Sequence, residues 1–93
     1  MDPKISERAL KIAAEMQDLE AQVQYCAHAN IDWLEVSDDL LMHFSGGKLP
    51  EAGYFIYKNV RLCRTGTAED IAQREKLPMH AILYPHEGYM KVR

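Results

Sequence analysis

Two cysteines, Cys26 and Cys63, and four histidines are the residues of this chain best suited to binding a borderline metal or to nucleophilic chemistry. A structural zinc site needs four converging ligands, drawn as a rule from close pairs such as Cys-x2-Cys. The one close pair here is Cys26 with His28, and two positions apart on a helix means nearly opposite faces. His80 and His86 lie far along the chain from that pair. Hydrolysis or proton transfer would need a nucleophile beside its base, or two carboxylates in a pocket that separates their pKa values. No such pairing is spelled out. Asp38-Asp39 falls in a turn, while Asp32, Glu35 and the acids of the first segment read as a solvated face. His43, inside an apolar run, reads as a hydrogen-bonded or edge-exposed strand residue. The residue types therefore predict two reduced thiols, no metal, no cofactor and no catalytic residues.

Ser45-Gly46-Gly47-Lys48 follows an apolar stretch, and backbone amides of such a turn can cradle a phosphate beside a lysine. These four residues resemble the start of the loop in PP-loop ATP pyrophosphatases. That family continues with an Asp-Ser pair, where this chain has Leu49-Pro50, and its parallel nucleotide-binding sheet needs a longer chain. The stretch lacks Walker A spacing as well, so it reads as a turn.

Charge is the more informative signal. The net charge of −3 divides unequally: residues 1–45 hold three basic and nine acidic side chains, residues 46–93 eight and five. An acidic half steers association with a basic partner. Glu15, Asp18 and Glu20 would supply that steering, with Trp33 as an aromatic anchor. The alternative partner is nucleic acid, bound by the basic C-terminal half. Alternation along a last strand puts Tyr89, Lys91 and Arg93 on one face, with Arg61 as a neighbouring cation. A helix-turn-helix over residues 67–83 fails because Pro85 leaves its second helix only about two turns.

The elements that must position these residues follow from periodicity. Asp2-Pro3 is a helix start. Ile5, Ala9, Ile12, Met16, Leu19, Val23, Cys26 and Asn30 then recur at alternating spacings of four and three, a heptad seam over one long helix. Covering of the seam by the chain's own sheet is favoured, hence a monomer, with a homodimer through this helix as the alternative. Residues 31–36 and 40–44 read as a hairpin around Ser37-Asp38-Asp39, in competition with a short helix capped by Ser37. Residues 54–57 and 60–63 form a second hairpin about Lys58-Asn59. Thr67 caps a helix from Ala68 to Glu75, and residues 79–84 and 89–92 make a last hairpin.

Ninety-three residues, 47% hydrophobic and 27% charged, make one domain with one core. The apolar runs are too short for a membrane span, and the N-terminus lacks the apolar core of a signal peptide, so a cytoplasmic location is expected. The expected fold is α+β: a long N-terminal helix on a mainly antiparallel sheet built from hairpins, with one short helix before the last hairpin. The expected function is that of a non-enzymatic regulatory or inhibitory protein whose partner is another protein, a nucleic-acid-binding regulator being the alternative.

Overall fold

The computed structural model describes residues 3–85 and 88–92, apart from the side chains of residues 3–6, 8 and 89. The order of elements is α1 (Pro3–Ala29), β1 (Trp33–Val36), α2 (Asp38–Phe44), β2 (Tyr54–Tyr57), β3 (Val60–Arg64), α3 (Ala68–Glu75), β4 (Ala81–Tyr84) and β5 (Tyr89–Val92). The fold is α+β, and the long N-terminal helix is present. The sheet, however, is mixed. Its order is β2-β3-β1-β4-β5, with antiparallel pairs at the two edges and β1 parallel to both β3 and β4 at the centre.

This corrects the expectation of a mainly antiparallel sheet, and the cause is local. Residues 38–44 are helical, not the second strand of a hairpin. The Ser37 hydroxyl accepts from the Leu40 N–H at 3.2 Å, while Asp38 and Asp39 occupy the first turn, where carboxylates suit the helix dipole. With its hairpin partner gone, β1 has two free edges, and strands from later in the chain take both. Parallel pairing requires crossovers: residues 37–59, with α2, carry the chain from β1 to β3, and residues 65–80, with α3, carry it from β3 past β1 to β4. The hairpin of β2 and β3 matches expectation: Lys58 and Asn59 take φ of 50° and 69°, the left-handed pair of a type I′ turn.

Helices cover both faces. On one side α1 and α2 lie over Leu34, Val36, Val60 and Leu62, with Leu19, Val23, Cys26 and Leu41 wholly or nearly buried. Phe44 of α2 stacks on Phe55 at 5.6 Å and tilts against Tyr57 at 4.9 Å. On the other side α3 lies over Trp33, Cys63 and Ile82 through Ala68, Ile71 and Ala72. Gly53 is needed here, because a Cβ at its φ of 88° would meet the Ile71 side chain at 3.0 Å.

The seam of α1 is only partly used. Met16, Leu19, Val23 and Cys26 pack on the core, Ile12 is half-buried, and Ala9 and Asn30 are exposed. A helix of 27 residues is about 40 Å long, whereas strands of four or five residues span about 13–17 Å and five of them lie about 19 Å across. No sheet of this size covers such a helix, and its N-terminal turns run beyond the core.

Candidate functional site

A cleft of about 220 Å³ opens beyond the C-terminal end of β1. Its walls come from three parts of the fold: Glu15, Asp18 and Gln22 from α1, Glu35 and Val36 from β1, and Ser37, Leu40 and Pro85 from the turns and helix around them. Crevices outside the carboxyl ends of parallel strands are where open α/β sheets bind ligands, because the crossovers there lead away on opposite faces. Two of the three acids predicted to meet a partner, Glu15 and Asp18, stand at this cleft. Their spacing of three on α1 puts them on neighbouring turns of one face. The Ser37 hydroxyl, which caps α2, also donates to the Glu15 carboxylate at 3.3 Å and ties the cleft's two walls together.

Glu35 is the residue that sequence reasoning missed. It was read as part of a solvated face, yet it is only 3% exposed. Its carboxylate accepts from the Ala68 N–H at 3.3 Å, the first turn of α3. Thr67 holds the N-cap position as expected, but its hydroxyl donates to the Arg64 carbonyl at 2.7 Å and makes no cap bond. A carboxylate from a neighbouring strand takes over the cap's role, with favourable charge for the helix N-terminus. The available signal was alternation, since Glu35 lies two residues from Trp33 and therefore on the same sheet face.

The other predicted contact residues are placed elsewhere. Glu20 lies outside the cleft and accepts from the Tyr57 hydroxyl and from the Lys58 ammonium at 2.7 Å, clasping α1 to the β2–β3 turn. These two hydrogen bonds, that from Lys58 foremost, hold its carboxyl below the usual value. Trp33 is wholly buried under α3, and its indole N–H donates to the Pro78 carbonyl at 2.9 Å. It is a core residue, which corrects its reading as a surface anchor. An indole at the start of the central strand, which is paired on both edges and covered by helices on both faces, has no route to solvent.

No family model, curated protein or solved structure matches this chain.

The basic residues proposed for nucleic acid share a face without forming a patch. Strand register sets Ile56, Arg61, Trp33, Ile82 and Lys91 in one row across the sheet. Arg61 and Lys91 are thus on the same side, as alternation requires, but three strand spacings apart, about 14 Å. Helix α3 lies over the row between them, on Trp33 and Ile82. Lys91 is ion-paired with Glu69 of α3 at 2.6 Å. The Arg61 guanidinium stands over the Trp33 and Tyr54 rings at 5.7 and 5.8 Å, and its Nε is buried without a hydrogen-bond partner among the described residues. Ring faces offset part of that cost. Arg93 and the Tyr89 side chain lie outside the described residues.

Both thiols are buried and free. Burial pushes Cys26 up to about 11 and Cys63 to about 12, so neither is a nucleophile at ordinary pH. Cys26 is on the α1 face of the sheet and Cys63 on the α3 face. Among the described residues no three His, Cys, Asp or Glu side chains are grouped so as to hold a metal ion, and no helix is long and apolar enough to cross a membrane. His86 lies outside the described residues. Asp32, the other acid read as solvated, accepts from the backbone N–H groups of His80 and Ala81 at 3.0 and 3.2 Å and so pins the start of β4 to the start of β1. Ser45, Gly46 and Gly47 close the C-terminus of α2: the Ser45 and Gly47 amides donate back to carbonyls of that helix and are not turned outward to an anion.

Proposed function

We propose that this chain is a regulatory or inhibitory binding protein that receives a basic segment of a larger protein on the acidic cleft between α1 and the end of β1. The observation that carries this reading is that Glu15 and Asp18, on one face of α1, stand together at one cleft beside Val36 and Leu40. Size narrows the ligand. Pockets for small molecules run from about 300 to 1,000 Å³, whereas this cleft of about 220 Å³ takes one long side chain. A lysine or arginine fits best: Val36, Leu40 and Pro85 accept its methylene stem while the Glu15 and Asp18 carboxylates receive its head. Acidic surface around the cleft adds steering, which raises the association rate and falls with salt.

The test is affinity capture from cells in which the protein is native, with and without nuclease, comparing wild type with the Glu15→Lys, Asp18→Lys double variant. Wild type should retain a protein after nuclease treatment, and the double variant should release it. Recovery that depends on intact nucleic acid, or retention by the charge-reversed variant equal to wild type, would defeat this reading.

A further inference from the structure

The N-terminal turns of α1 carry an unused half of the heptad seam, and the charges along the helix indicate what covers it. Leu19, Val23 and Cys26 of the seam are spent on the chain's own core, whereas Ala9 is exposed and Ile12 is half-buried. The overhang is not charged like the rest of the helix. Residues 3–14 hold three basic side chains and one acidic, while residues 15–20 hold three acidic and none basic. Lys11, the one member of the basic set whose side chain is among the described residues, lies 4.0 Å from Asp39 with both groups exposed. A helix that is basic at its tip and acidic just behind it is complementary to itself in the antiparallel sense.

We propose that two copies of this chain associate through antiparallel pairing of the N-terminal overhangs of α1. Length supports the same occupant. Heptad layers that set Ala9 opposite Ile12 of the second copy also set position 5 opposite position 16, so each overhang ends where the other copy's core begins. In this register positions 8 and 15 are equivalent flanking sites, and Arg8 of one copy is matched in sequence with Glu15 of the other on both sides of the two-fold axis. A parallel pairing would instead align like charge with like. The paired segment is about 18 Å long, which makes the interface small by the standard of stable dimers and the association concentration-dependent. The contact and the acidic cleft share Glu15, but Ala9 lies outside the cleft, so a change at Ala9 tests the contact alone.

Sedimentation equilibrium of the full chain over a concentration series tests this. Wild type should pass from monomer to dimer, and Ala9→Asp should weaken the dimer at least tenfold while leaving capture of the cleft's protein partner unchanged. A charge-swapped pair guards against misfolding of any one variant. Glu15→Lys with Asp18→Lys gives a net basic stretch over residues 3–20, and Lys4→Glu, Arg8→Glu with Lys11→Glu an acidic one. Each should be monomeric alone, and the two mixed in equal amounts should form a heterodimer. A wild type that stays monomeric at the top of the series, an Ala9→Asp variant that dimerises as wild type does, or a mixture with no gain over its components would each overturn the proposal.

Discussion

Glu20 shows how one side chain changes its meaning between sequence and structure. In the sequence it belongs to an acidic stretch; in the fold it holds the β2–β3 turn against α1 through Lys58 and Tyr57. Its carboxyl is held below its ordinary 4.5, so on acidification the unfolded chain takes up the proton first. The stabilisation is complete above 4.5 and is lost as pH falls through the lowered folded-state value. Thermal midpoints of wild type and Glu20→Gln should therefore differ by a constant, small amount near neutrality and converge in acid. A gap that persists in acid would show that the clasp does not depend on the carboxylate. The thiols give a second prediction at this scale. Buried and raised to about 11 and 12, Cys26 and Cys63 should react with an alkylating reagent at mildly alkaline pH only as fast as the chain opens. Denaturant should release both together, and rapid labelling of either in the native protein would contradict their burial.

At the scale of elements, α1 is two helices in function: residues from Met16 onward belong to the core, and those before it do not. Leu19, fully buried between α1 and the sheet, marks the first kind. Leu19→Ala should cost about 2–5 kcal/mol, the range for deleting a well-enclosed leucine, measured as a fall in denaturation midpoint at unchanged slope. An unchanged midpoint would remove α1 from the core. Helix α2 carries the largest consequence for topology. Its seven residues are too few for stability alone, so the Ser37 cap, two acids in its first turn and burial of Leu40 and Leu41 must act together. The same run of residues 40–44 supports strand periodicity nearly as well, and for that reason the hairpin reading was the wrong one of two close alternatives.

For the molecule as a whole, the centre of the mixed sheet is its most enclosed part. Strand β1 is hydrogen-bonded on both edges and buried at all four positions, with α1 and α2 on one face and α3 on the other. Hydrogen exchange should rank accordingly, slowest at Leu34 and Leu62 and faster at Ile56 on the edge strand β2 and in the overhanging turns of α1. Protection of Ile56 equal to that of Leu34 would mean that the β2 edge is covered in solution. The distribution of charge follows the same plan. The acidic cleft gathers at one end of β1, whereas Arg61 and Lys91 are parted by α3 and engaged with rings and with Glu69.

What the sequence by itself determined is what local rules govern: the long amphipathic helix, the Lys58-Asn59 hairpin with its left-handed turn residues, the extent of α3 and the edge pairing of β4 with β5. Each depends on periodicity or on backbone preferences within a few residues. The acids of α1 at the cleft were legible too, since spacing alone sets Glu15 and Asp18 on one helix face. Only the tertiary structure decided the rest. Whether β1 pairs with its neighbour in sequence or with β3 and β4 depends on contacts some thirty to fifty residues away. Trp33 and Glu35 look like surface residues until helices close over both faces of that strand, and a carboxylate cap on α3 supplied from β1 has no local signature. The length of seam left uncovered follows from the size of the sheet, a property no window of sequence contains.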